Sequence, residues 1–281
     1  MQQQILVTLN GSQLSEAILP HALALADATH SGITLLRTVT LPRNFSTGIA
    51  EIVLPENWYD EEQASTRTYL NNIAGYIREH GVEAQVVMLD GDPATNIVSY
   101  ASHQPNVLLI AMASHGRERV QRWLLGSVAT QVIHEMPKPV VLMHPTSHEN
   151  ALSGVIPAYH NIIIPFDGST RSGPVLEFAE PLIRAFDTTI TLVQVEPASS
   201  ERSHLEEGQT SIEDEAQQLR EAGLTVQIQA PTGDPSELIR QLSRQQRDVL
   251  LLMAQREKLE ELVMKFIHQI GVPVLVVPVK K

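Results

Sequence analysis

The sequence predicts an α/β fold: two tandem domains, each a five-stranded parallel sheet sandwiched between helices. Three observations lead there. The chain repeats itself once, short β-branched apolar runs alternate with amphipathic stretches, and the runs are too continuously apolar to leave one face in water.

The repeat sets the domain plan. Ile5-Leu6-Val7-Thr8-Leu9-Asn10-Gly11-Ser12 returns as Ile162-Ile163-Ile164-Pro165-Phe166-Asp167-Gly168-Ser169 at a shift of 157, as does Ile33–Thr38 in Ile190–Val195. Gly91-Asp92-Pro93 returns as Gly233-Asp234-Pro235, and Asn106–Leu109 as Asp248–Leu251, at a shift of 142. Ile133-His134 and Pro139 return as Ile267-His268 and Pro273 at 134. The falling shift gives copy one fifteen extra residues around Leu41–Tyr59 and removes eight from copy two between its fourth strand and last helix. A length of 281 residues suits two domains. They are placed at 1–146 and 158–281, with a linker read over Pro145–Tyr159 from its Ser, Asn, Gly and Pro content.

In copy one, strands are expected near Gln4–Leu9, Gly32–Val39, Glu83–Leu89, Val107–Ala111 and Val140–Met143. Leu14, Ile18, Ala22 and Leu25 recur near 3.6 residues and mark the first helix. Pro20 conflicts with an unbroken helix there and predicts a kink or a late start. Asp92-Pro93 reads as a turn opening a helix over Thr95–Ser102. The last strands, Val140–Met143 and Val274–Val277, would be hazardous free edges, which predicts that they lie side by side. A further dimer of such units is left open. Parallel sheets of this kind bind ligands at the carboxyl ends of their strands, where strand order reverses.

Composition narrows the function. Asp and Glu number 32 against 20 Lys and Arg, and both halves are acidic, which argues against general nucleic-acid binding. The absence of cysteine excludes disulfides, thiolate zinc sites and cysteine nucleophiles, and fits a reducing compartment such as the cytoplasm. No apolar run nears the ~18 residues of a membrane span, so no membrane role is expected.

The most informative segment runs from Ala113 to Val128. It follows an apolar strand and opens a helical pattern. Gly116 would let backbone N–H groups approach a phosphate closely. Gly126-Ser127 at a helix start offers free N–H donors, the positive end of the helix dipole and a hydroxyl. Arg117, Arg119 and Arg122 add positive charge, although a solvated basic face on an ordinary connection explains them equally well.

Ala113-x2-Gly116-x9-Gly126-Ser127 resembles the nucleotide loop of the universal stress protein family, G-x2-G-x9-G-[ST]. The opening Ile5–Ser12 and the ending Pro137-Lys138-Pro139-Val140-Val141-Leu142 are similar to that family as well, and the likeness covers nearly the whole chain twice. The resemblance implies a Rossmann-like fold of the adenine-nucleotide alpha-hydrolase kind, pairing of domains through the last strand, and ATP or another adenine nucleotide as ligand, with magnesium as an allowed companion. It places phosphates at Gly116, Gly126, Ser127 and the adjoining Val128. It places the ribose by Leu9-Asn10 and the adenine by Thr38.

Copy one departs from the pattern at Ala113, which replaces a glycine, at Asn10, which replaces an Asp, and at Thr38, where an apolar residue is usual. Copy two keeps Asp167 and Val195 but loses the counterpart of Gly116. Glu260-Glu261 stand in for Gly126-Ser127, and carboxylates there would repel a phosphate. One nucleotide, in copy one, is the expectation.

Other chemistry is set aside. No P-loop or G-x-G-x-x-G is present. His144 and His148 read as surface residues, His115 as a solvated loop residue, and Glu56, Asp60, Glu61 and Glu62 as a solvated helix face. Ser12 and Ser169 read as helix caps, not nucleophiles. Three functions remain: a nucleotide-binding regulatory protein, which leads; an interaction scaffold without nucleotide; and a slow ATPase or self-phosphorylating protein, ranked last for want of an assignable general base.

Overall fold

The structure is a computed structural model that describes residues 2–40, 55–114, 126–144, 155–166, 172–194, 211–229, 235–245, 248–254, 266 and 272–278. In the first half, β1 (Gln4–Thr8), β2 (Gly32–Val39), β3 (Ala84–Asp90), β4 (Val107–Ala113) and β5 (Val140–Met143) alternate with helices. These are α1 (Gln13–Glu16), α2 (Leu19–Ala28), α3 (Trp58–Glu79), α4 (Pro93–His103) and α5 (Ser127–Glu135). The second half repeats the plan with β6 (Asn161–Phe166), α6 (Ser172–Phe186), β7 (Thr189–Gln194), α7 (Ile212–Glu221), β8 (Thr225–Gln229), α8 (Pro235–Gln245), β9 (Val249–Ala254) and β10 (Val274–Val277).

The strands form one sheet in the order β3-β2-β1-β4-β5-β10-β9-β6-β7-β8. Pairing within each half is parallel. At the seam β10 runs antiparallel to β5, with Val274 opposite Leu142, Leu275 opposite Val141 and Val276 opposite Val140. Two parallel sheets related by a pseudo-twofold must meet antiparallel, so the whole is a mixed sheet with no apolar edge at its centre.

Side chains alternate across the sheet. Ile5, Val7, Ile33 and Leu35 face α2 and α3, in a core that continues to α6 and α7. Leu6, Leu36, Ile110 and Met112 face the opposite way, toward α4 and α5, in a core that reaches α8. The outer strands β3 and β8 are only partly buried, which suits edges.

Pro20 resolves as a late start. Ser12 caps the single turn of α1 by accepting from the Ser15 N–H, and a fresh helix then opens at Leu19 with Pro20 in its first turn, where a missing N–H costs nothing. Asp92 caps α4, accepting from Thr95 N–H at 2.9 Å, with Pro93 at the first helical position.

The expected linker ends on a buried side chain. Tyr159 is fully buried, with its hydroxyl 2.6 Å from His21 Nδ1 on α2 and its ring edge-on to Phe186 on α6 at 5.2 Å. It therefore packs the two halves together rather than spacing them. Residues 41–54 of the expected insertion and 145–154 of the expected linker lie outside the described residues, as do Arg117, Arg119, Arg122, His115, His148, Asp167, Ser169, Val195, Glu260 and Glu261.

Candidate functional site

At the carboxyl ends of β1, β2 and β4 lies a cleft of ≈ 360 Å³. Its place follows from topology: β2 and β4 leave β1 in opposite directions, so their loops part and open a crevice above the sheet. Leu9, Asn10, Thr38, Ala113, Gly126, Ser127 and Val128 all line it. Gly116 lies outside the described residues.

One wall is the start of α5. Gly126 is its N-cap with φ −59 and ψ 145, and among the described residues no side chain caps the helix. The first intrahelical bond runs from Thr130 N–H to Gly126 O, so the N–H groups of Ser127, Val128 and Ala129 have no intrahelical acceptor. Ser114 fixes this wall. Its carbonyl accepts from Gly126 N–H at 2.9 Å, and its own N–H donates to Met143 O at 2.8 Å. Its hydroxyl lies 3.1 Å from His144 Nδ1, so His144 is tied to the site rather than free on the surface. Ala113 ends β4 in extended backbone opposite Met143, and its methyl requires no positive φ.

The floor is the turn after β1. Asn10 Oδ1 accepts from the Ser12 N–H at 3.0 Å and from the Ser12 hydroxyl at 2.7 Å, closing an Asx turn. Gly11 turns the chain at φ +83, and a Cβ there would stand 2.7 Å from Arg37 Nη1. The positive φ is what favours glycine at this position. Arg37, buried on β2, bonds Glu62 Oε1 at 2.8 Å and lies over the Tyr69 ring at 5.6 Å. Tyr69 donates to Glu16 at 2.9 Å, and burial together with that carboxylate raises its pKa.

Glu62 corrects the reading of 56–62 as a wholly solvated face: it lines the cleft, held there by Arg37. Arg37 and Glu62 were missed as site residues. An arginine inside the apolar run Gly32–Val39 was the available signal, because buried cations are nearly always paired. The third wall is mixed: Thr38 Oγ1 accepts from Asn96 Nδ2 at 3.4 Å, beside Leu36, Ile97, Met112 and Pro93.

The arrangement suits an elongated ligand with an anionic end at α5 and an uncharged, hydroxyl-bearing part over the floor. Its volume falls in the ~300–1,000 Å³ range of small-molecule sites. Among the described residues no group of three His, Asp or Glu side chains could hold a metal ion.

The profile of the universal stress protein family matches residues 1–144 and again 158–278. The chain belongs to the universal stress protein family. It carries that family's domain twice. A universal stress protein of Bacillus subtilis, YxiE, is 28% identical over 150 residues, covering 51% of this chain and 99% of its own. One from Methanocaldococcus jannaschii is 27% identical over 147 residues, covering 50% of this chain and 81% of its own. Among solved structures, a universal stress protein from Archaeoglobus fulgidus superimposes with a TM-score of 0.75 at 19% identity, covering 98% of both chains. That likeness extends the tandem α/β plan of this universal stress protein across its full length. No helix among the described residues is long and apolar enough to cross a membrane.

Proposed function

We propose that this tandem universal stress protein is a regulatory, stress-response protein that binds one adenine nucleotide per chain, ATP foremost, in the cleft of its first half. The observation that carries the reading is the uncapped start of α5 facing that cleft. Three backbone N–H groups and a helix dipole worth roughly +0.5 charge converge there, and among the described residues no side chain caps them. Gly126, Ser127 and Val128 would hold the phosphates, with Ala113 beside them, and the sequence motif adds Gly116, outside the described residues, to the phosphate contacts. Leu9 and Asn10 would border the sugar, and Thr38 the base.

Confinement to the first half rests on sequence: Glu260-Glu261 occupy the places of Gly126-Ser127 in the second copy. Mass spectrometry of nucleotide released from the purified, denatured protein tests the reading. One equivalent of adenine nucleotide supports it, and a chain that neither carries nor takes up nucleotide favours the scaffold reading.

One observation favours a slow phosphoryl-transfer activity as a second reading, namely the imidazole of His144 beside the Ser114 hydroxyl at the edge of the cleft. Ser114 Oγ would attack the γ-phosphorus of ATP, its proton would pass to His144, and ADP would leave. Phosphate on Ser114, lost in His144→Gln, would establish it.

A further inference from the structure

The cleft has two ends of opposite electrostatic character. The start of α5 attracts an anion, whereas Glu62 places a carboxylate on the floor. Arg37 joins this carboxylate to the turn after β1. A Cβ on Gly11 would stand 3.3 Å from Arg37 Nη2, and the same nitrogen holds Glu62 Oε1 at 2.8 Å. The carboxylate is thus one guanidinium away from Asn10-Gly11. Its exposure is 31%, against 10% for the Arg37 side chain, so the pair is open on the Glu62 side. Among the described residues, Glu62 Oε2 has no protein partner.

The side chain of Asn10 is committed within its own turn. Asn10 Oδ1 has two lone pairs, and both are taken, by the Ser12 N–H and the Ser12 hydroxyl. Glu62 Oε2 offers that capacity instead. A carboxylate accepting from hydroxyls makes charge-assisted bonds, and carboxylates are poor neighbours for phosphate. Arg37 cancels the Glu62 charge locally, so the pair contributes a strong acceptor without a net field against phosphates held at α5.

We infer that Glu62, held by Arg37, is the residue that reads the sugar hydroxyls of the bound nucleotide, and that it selects ribo- over 2′-deoxyribonucleotides. The inference rests on the nucleotide reading of this cleft and deepens it. It assigns the hydroxyl contact to α3, an element that follows the insertion of the first copy, rather than to the turn after β1. Asn10 then shapes the floor and Glu62 provides the recognition.

Calorimetric titration of the full chain with ATP and with 2′-deoxy-ATP tests this. Wild type is expected to prefer ATP by about tenfold, the worth of one charge-assisted hydrogen bond. In Glu62→Gln the ATP affinity falls by about tenfold while the 2′-deoxy affinity changes by less than about twofold, so the preference disappears. Gln keeps a neutral acceptor for Arg37, and a thermal melt checks that the fold survives. Asn10→Asp added to Glu62→Gln restores the preference by returning a carboxylate oxygen beside the same turn. A loss shared equally by both nucleotides would assign Glu62 a supporting role under Arg37 and overturn the inference. So would no change in either affinity, or a wild type that does not distinguish the two sugars, a result that needs no variant. A wild type that binds neither nucleotide overturns the nucleotide reading itself.

Discussion

Asn10 commits its oxygen to Ser12, and this decides what a carboxylate would do in its place. In Asn10→Asp one oxygen keeps the Asx turn, and the second adds an acceptor at the edge of the cleft. ATP should bind on the order of tenfold more tightly, and 2′-deoxy-ATP should gain less, as competition against a fluorescent nucleotide would register. Equal gains for both would mean that this position does not sense the sugar. Gly11 is a stability site: with φ +83, Gly11→Ala should cost about 1–2 kcal/mol in thermal unfolding. An unchanged melting temperature would mean the turn relaxes freely. At this scale the sequence was partly legible. The contiguous motif pointed to Gly126-Ser127, whereas Glu62 approaches Asn10 across 52 positions through an arginine on a third element, a relation that spacing cannot express.

Helix α5 separates binding from folding. Gly126 sits at its N-cap in ordinary extended backbone, a conformation that does not require glycine. Aspartate is among the best N-caps, so Gly126→Asp should leave stability unchanged or raise it by up to about 1 kcal/mol. The same carboxylate occupies the proposed phosphate position and should weaken ATP by about 100-fold or more. Loss of binding accompanied by loss of fold would not fit this account. The elements themselves were largely legible, because near-continuous apolar strands and Pro or Asp at helix starts are local signals. β4 runs two residues beyond its expected end because Met112 and Ala113 pair with Leu142 and Met143, a tertiary cause absent from the local pattern.

The seam between β5 and β10 makes ten strands one sheet, and the halves should therefore unfold together. Both tryptophans, Trp58 and Trp123, belong to the first half. Leu275→Ala, a fully buried change in the second half, should cost about 2–5 kcal/mol and shift the tryptophan fluorescence melt by the same amount as far-ultraviolet circular dichroism. A fluorescence melt that ignored it would mean independent halves. The His21–Tyr159 contact adds a pH dependence. Burial lowers the His21 pKa from 6.5 to about 4, so between these values the unfolded chain binds a proton that the folded chain refuses. Its contribution is complete above pH 6.5 and is lost as pH falls toward 4, by on the order of 3 kcal/mol. The difference in stability between wild type and His21→Gln should narrow or reverse over that window, and parallel curves would contradict it. The repeat announced two copies, but nothing in its periodicity placed Tyr159 between α2 and α6, since buried contacts between halves leave no local mark. The central claim is one nucleotide per chain, held at the start of α5. Isothermal titration of the full chain with ATP, for wild type beside Gly126→Asp, tests it most directly: a single site in wild type and none in the variant is the predicted result, and two equivalent sites, or binding that survives Gly126→Asp, would contradict it.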